Sequence, residues 1–398
     1  AAVQAAWSLM PADRTARTYE LALPGVGAQE VLDGDGHEGH VHDAESDEAS
    51  GDGGHHHGDM MAITGEPSAD GLVMEAMDVQ AGPLGVSLPG GLLVQASLDG
   101  DVVAGCQVRA TLTVDDIAPP DPWSALAWTA AQLAASERVA GVAPHAGRWF
   151  RLAAVEVERS VSHLAWLHGF CRLLGWQHMA RRARAVLTAV ASARASLPVQ
   201  STTPDLPDVR SDRLQADLAH AYAATVELAD ALTKSRALAL RTTGVGTLSA
   251  DEVQARRLAG PIARASGVGD DARRDDPGYA RLGFEPLVRE EGDARARTLL
   301  RAAEAAQALT LAAAATELAP QADGDDAAPQ FGLPSAGLVE SARGPLRVVV
   351  SADGAPQRGA AGARAARQAA GELAVGREWA AALVTVASFA ISPWRVGP

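Results

Sequence analysis

Residues Gly260 to Leu309 read GPIARASGVGDDARRDDPGYARLGFEPLVREEGDARARTLLRAAEAAQAL. Three features follow one another there. Arg264-Ala265-Ser266-Gly267 forms a turn, with Gly267 and Gly269 where the backbone must bend sharply. An acid and base cluster follows: Asp270, Asp271, Arg273, Arg274, Asp275 and Asp276. Gly292-Asp293 then opens a long Ala-rich helix, expected from about Glu291 to Leu318, with the carboxylate at the end where the helix macrodipole favours it.

Upstream, Glu156, Arg159 and His163 stand at i, i+3 and i+7, so they share one stripe of a helix expected from His145 to about Leu174. Further helices are expected at Trp123–Val139, Gln177–Leu197 and Ser211–Leu240. A short one follows Ser249, which caps it with Glu252 three residues on, and the chain stops at Gly260-Pro261. Between Leu72 and Val114, alternating apolar runs read as about three strands. Asp99-Gly100 between Leu92–Leu98 and Val102–Val108 is a hairpin signal. Near the end, Gly344–Val350 turning at Asp353-Gly354 reads as another hairpin, followed by a polar Arg/Ala stretch and an apolar segment. The fold class is therefore α+β and mainly helical. An N-terminal extension (1–70) precedes one domain (71–398), divided into a β region (71–116), a helical body (123–320) and a C-terminal hairpin and tail (338–398).

Composition narrows the function. With 47% apolar residues the chain can bury a sizeable core, and with 4% aromatics that core must come from close packing of small side chains. The balance of 34 basic to 49 acidic residues gives a net charge of −15, which repels nucleic acid. No apolar run reaches the roughly eighteen residues of a membrane-spanning helix, and no signal peptide is visible. The expectation is a cytoplasmic protein. The segment 34–59 is Gly, His, Asp, Glu and Ser with little to bury, and is expected to be disordered. Its His37, His40, His42, His55, His56 and His57 suit zinc or nickel by donor type, with nothing to fix a geometry.

The pieces occur in a recognisable order. A helix with Glu156, Arg159, His163 and Leu164 is followed by Thr243-Gly244-Val245-Gly246, Gly260-Pro261, Arg264, Ser266-Gly267-Val268, Asp271, Arg273, Gly292-Asp293 and Arg297, with Arg301 and Glu304 at helical spacing beyond. This order resembles the nickel-iron hydrogenase large subunit and its descendant, the hydrogenase-like quinone-site subunit of respiratory complex I, the NADH-quinone oxidoreductase. The resemblance covers roughly Gly82 to Arg358. It implies a hydrogenase large-subunit-like helical body whose Glu156, Arg159 and His163 helix flanks a reaction chamber, with Arg264, Ser266, Asp271 and Arg273 shaping the same chamber. It also implies partners: an iron-sulfur small subunit and proton-pumping membrane subunits, which would place the chain peripherally on the cytoplasmic membrane, taking part in electron transfer near the terminal iron-sulfur cluster, with quinone as a candidate acceptor.

Departures from the family bear on the chemistry. A nickel-iron centre needs four thiolates in two Cys-x-x-Cys pairs, and this chain has only Cys106 and Cys171. Where the pairs are expected it reads Ile117–Trp123 and Ser388–Trp394, so no nickel-iron centre is expected and no cofactor bound directly by this chain. The family's histidine-bearing quinone loop corresponds to Gly82–Gly91, which contains no histidine, and the family's tyrosine has no counterpart, since Tyr19, Tyr222 and Tyr279 lie elsewhere. Three readings stand side by side: a component of a membrane-associated oxidoreductase working near the terminal iron-sulfur cluster, a catalytically silent structural subunit of such a complex, and a metal-binding accessory protein using the histidine-rich loop.

Overall fold

The computed structural model describes residues 76–84, 88–112, 123–141, 147–195, 197, 212–319, 332–333, 336–350 and 356–395. The six clustered histidines and the segment 34–59 lie outside them.

The first elements are β1 (Met77–Ala81), β2 (Leu92–Asp99) and β3 (Val102–Ala110), a three-stranded antiparallel sheet in the order β1-β2-β3. The β2–β3 hairpin turns at Gly100, whose φ of 63° suits glycine. Val94, Ala96 and Leu98 alternate into the core, the period of a half-buried strand. The register slips between Ser97 and Leu98.

The body is helical: α1 (Ala125–Val139), α2 (Gly147–Leu173), α3 (Gln177–Ala195), α4 (Asp212–Thr233), α5 (Arg236–Thr242), α6 (Ala250–Ala255), α7 (Pro261–Arg264), α8 (Pro277–Arg281) and α9 (Ala294–Leu318). Helix α2 is buried nearly all round over its middle, which marks it as the central helix rather than a surface one. It packs against α9 and α3, and α9 packs against α4 as well. The alanines of α9 (Ala294, Ala302, Ala305, Ala312 and Ala315) permit that close approach. Leu152, Leu164 and Leu167 of α2 are essentially inaccessible, each contributing about 1.5–3 kcal/mol of burial.

A second antiparallel sheet follows in the order β4 (Gly332–Leu333), β5 (Ala336–Ser341), β6 (Gly344–Val350) and β7 (Pro356–Ala360). Strands β5 and β6 lie on α1. The approach is so close that a Cβ on Gly337 would fall 1.7 Å from the Ala131 carbonyl oxygen, so only glycine fits. This packing drives β5 into the interior and carries Glu340 with it. Two helices end the described chain, α10 (Ala363–Ala374) across β3 and α11 (Trp379–Ser388).

The mainly helical α+β class expected from the sequence is the one observed. Two local expectations need correction. The single helix expected over 211–240 is two, because Ser235 breaks it and caps α5 by accepting from the Leu238 amide. The C-terminal Arg/Ala and apolar stretches, read as a tail, are both helices; Ala366, Ala369, Ala370 and Ala374 recur at helical spacing and are buried.

Candidate functional site

The residues singled out on α2 and in the loop after α7 meet in the interior. Arg159 grips Glu156 on its own helix, Nε donating to Oε2 at 3.0 Å and Nη2 to Oε1 at 3.1 Å. The same guanidinium donates to the main-chain carbonyls of Ser341 (2.8 Å) and Glu340, joining α2 to β5. Arg273 makes a two-pronged contact with Asp271, at 2.9 and 2.7 Å, and reaches Glu156 Oε2 at 3.3 Å. Arg264 touches three carboxylates: Glu304 through Nε at 2.7 Å, and Asp271 and Glu340 through Nη1 at 2.9 and 2.8 Å. His163 Nε2 lies 3.1 Å from Glu304 Oε2, a close contact without hydrogen-bond alignment. Glu304 thus ties the α2 stripe to the loop: the His163 imidazole and the Arg264 guanidinium touch its two oxygens. None of these side chains is more than 3% exposed.

Local structure explains each position. The α7 turn starts at Pro261, preceded by Gly260 at φ 66°, where a Cβ would strike the Arg343 backbone; the turn points Arg264 inward. Asp293 caps α9 by accepting from the Ala296 amide and also accepts from Gly244 N–H, fixing the helix that carries Arg297, Arg301 and Glu304. Arg297 donates to the Ser388 hydroxyl and to the Gly292 and Gly246 carbonyls. Arg301 donates to the carbonyls of Ala342 and Phe389 and lies 5.0 Å from the Trp166 ring centroid.

Burial sets the ionisation. The His163 imidazole is pushed down to about 4 by burial, which its contact with Glu304 only partly offsets, so it is neutral near pH 7. Burial opposes charge on Glu304 too, but Arg264 and His163 outweigh it and hold the carboxyl well below its usual range. Burial likewise opposes charge on Asp271, and Arg273 and Arg264 override it, taking it down to about 2. Arg297 and Arg301 are lowered to about 9, by burial first.

Ser266 is buried, but its hydroxyl donates only to the Ile262 carbonyl one turn back and does not enter the charged cluster. Two residues do enter it unforeseen. Tyr279, set aside in the sequence as lying elsewhere, donates its hydroxyl to Glu156 Oε1 at 2.6 Å. Glu340 arrives from β5, and no local pattern in the sequence singles it out. Glu304 was visible only as a member of a helical series.

The donor set does not fit a nickel-iron centre. Cys106 is half-buried on β3 and Cys171 is buried on α2, burial raising both thiols, to about 11 and about 12. In the Ser388–Trp394 segment, Ser388 is committed to Arg297 and to the Thr385 carbonyl. Among the described residues, no group of three or more His, Cys, Asp or Glu side chains converges to hold a metal.

A central helix clasped by a second one, two small antiparallel sheets and a buried arginine–carboxylate cluster between them make up the fold that carries the site. It has likenesses among known proteins. Residues 199–347 match the family described as respiratory-chain NADH dehydrogenase, 49 Kd subunit. The D subunit of NADH-quinone oxidoreductase from Clostridium beijerinckii is 26% identical over 235 residues, 55% of this chain and 64% of that protein. The D 2 subunit of the same enzyme from Sinorhizobium medicae is 42% identical over 89 residues, 22% of each chain. The chain thus spans less than two thirds of the length of these relatives. A component of the membrane-bound sulfane sulfur reductase, an archaeal respiratory membrane complex, shares the fold with a TM-score of 0.65 at 20% identity, over 80% of this chain and 97% of that one. Residues 199–347 are thus similar to the 49 Kd subunit family, and the fold as a whole is similar to that of the archaeal complex's component.

Proposed function

We propose that this chain is the large-subunit-like component of a membrane-associated respiratory oxidoreductase, set beside a partner that carries an iron-sulfur cluster. The observation that carries the reading is the convergence of two distant stretches on Glu304: His163 and Arg264, 101 residues apart in the chain, contact its two oxygens. Kept neutral by burial, His163 has the chemistry to take up a proton when an electron arrives on a neighbouring centre, with Glu304 stabilising the imidazolium that forms. Arg264 and Arg273 fix the carboxylates, so that Glu304 presents an oriented oxygen to the imidazole. Quinone as the final acceptor is the finer part of the proposal, and Glu156, Arg159, Asp271 and Arg273 would then be positioning residues, since none is exposed to a bound molecule in the chain alone.

A specific observation favours a second reading, the catalytically silent structural subunit. Nearly every charged group of the cluster is matched by an opposite charge or a carbonyl within the chain, as a load-sharing brace between α2, α9 and β5 requires. Both readings place the chain in a complex, and no described helix is long and apolar enough to cross a membrane.

Affinity purification of the full chain from its native host, followed by iron and acid-labile sulfide analysis and visible spectroscopy, tests the proposal. Co-purification of an iron-sulfur protein in fixed ratio is expected. Recovery of the chain alone, from membranes and soluble fraction alike, would contradict it. The third reading, metal binding through His37, His40, His42, His55, His56 and His57, concerns residues outside the described ones. It is addressed by comparing zinc and nickel content with and without residues 34–59.

A further inference from the structure

The contacts of the buried cluster do not balance. Four carboxylates, Glu156, Asp271, Glu304 and Glu340, are joined by ion pairs to three guanidinium groups, those of Arg159, Arg264 and Arg273. Arg264 alone serves three of the four. Arg301, a fourth guanidinium beside them, bonds main-chain carbonyls and reaches Glu304 through its field alone, so one carboxylate goes without a cation of its own and burial favours a proton on it. The site of that proton is decided by which carboxylate is worst served.

Glu156 receives Arg159, Arg273 and the Tyr279 hydroxyl. Asp271 receives Arg273 twice, the Arg273 amide and Arg264. Glu304 receives Arg264 through Nε, contacts His163, and feels the field of Arg301 on the next turn of its own helix. Glu340 has one strong partner, Arg264 Nη1, which it shares with Asp271, and a long contact of 3.4 Å from the Ala272 amide. The groups that face it are Arg264 from α7, Asp271 from the loop and Arg159 from α2, the last bonding its main-chain carbonyl. Of these, Asp271 repels its charge, and burial with that repulsion takes the Glu340 carboxyl up to about 7.

We infer that Glu340 is the resting site of one labile proton in the cluster, and that His163 is the second site for it, linked to Glu340 through Arg264 and Glu304. The linkage is electrostatic: Arg264, raised well above its ordinary value by its carboxylates, keeps its own protons and passes only the field. When the Glu340 O–H bond breaks and a proton is bound at His163, the cluster's total charge is unchanged. The fold thereby allows His163 to charge without a net charge entering the interior. This ionisation belongs to the isolated chain and does not rest on the proposed redox role.

Infrared spectroscopy of the full chain in D2O reads it directly, through the C=O stretch of a protonated carboxylic acid. One such band is expected at neutral pH. It should be lost on raising the pH by about two units, be absent in Glu340→Gln, and titrate at lower pH in Asp271→Asn, where the repelling charge is gone. Absence of any protonated carboxyl band in the unmodified chain at neutral pH would overturn the inference without recourse to a variant. Persistence of the band in a folded Glu340→Gln, with its loss in Glu304→Gln, would move the proton to Glu304 and overturn it equally.

Discussion

Arg264→Met removes the one cation that contacts three carboxylates. Its cost follows from what each carboxylate has left. Asp271 keeps the two-pronged contact with Arg273. Glu340, already up to about 7, takes a proton at little further cost. Glu304 is left with a neutral imidazole and no bonded cation, and must accept a proton or remain charged in a dry interior. Protonating a carboxyl of ordinary value 4.5 at about pH 7 costs roughly 1.36 kcal/mol for each of 2.5 units, about 3.4 kcal/mol. A loss of about 3–5 kcal/mol is therefore expected, in the range for breaking a buried pair. The sign of the pH dependence is fixed as well. In the unmodified chain Glu304 has a depressed value, so its contribution is present above 4.5 and is lost only as pH falls through that lower value. In the variant the penalty shrinks on acidification, to about 0.7 kcal/mol at about pH 5. Urea denaturation of both proteins at the two pH values measures the difference. A loss below about 1 kcal/mol, or one identical at both pH values, would refute the ion-linked role of Arg264.

Four further outcomes follow from the same contacts. Glu340, raised in the fold, contributes stability below 4.5 that is lost as pH rises through about 7, whereas His163, lowered in the fold, contributes stability above 6.5 that is lost as pH falls through about 4. These slopes oppose each other over most of that window, so in equilibrium denaturation Glu340→Gln should leave a stability that rises with pH and His163→Gln one that falls, each by up to about 3.4 kcal/mol; parallel slopes would count against the assignment. Tyr279→Phe removes the hydroxyl on Glu156 and should cost about 1.5–3 kcal/mol by thermal or chemical unfolding, as expected for a bond to a charged group. Asp293→Ala uncaps α9 and should cost about 1–2 kcal/mol, visible as a lower unfolding midpoint without change of slope. Gly337→Ala forces β5 off α1 and should cost at least about 1–3 kcal/mol; a variant as stable as the parent would show that the contact with Ala131 is looser than described.

What could be read in the sequence was what depends on neighbours in the chain. Asp99-Gly100 marks its hairpin because a tight turn needs those residues within two positions, and Ser249 with Glu252 marks α6 because a capping box closes within one turn. The α2 stripe was legible for the same reason, since i, i+3 and i+7 fall on one face. Helix α10 was missed because its buried face is made of alanines, which carry too little hydrophobic contrast against the intervening arginines. The loop residues Arg264, Asp271 and Arg273 were found through the order of motifs in a family, and the structure assigns them their partners. Glu340 meets Arg264 across 76 residues and Tyr279 meets Glu156 across 123, through strand and loop packing that no local period encodes. That four carboxylates share the ion pairs of three arginines became countable only once Glu340 was in place.

The proposed redox role depends on His163 and Arg264 being held on one glutamate beside a redox partner. A redox titration of the iron-sulfur centre co-purified with the chain, at several pH values, probes that dependence in the parent and in His163→Gln. The expected result is a midpoint potential that falls with rising pH in the parent, by up to about 59 mV per unit for one proton per electron, and a flattened dependence in the variant. A midpoint with the same pH dependence in both proteins would contradict it.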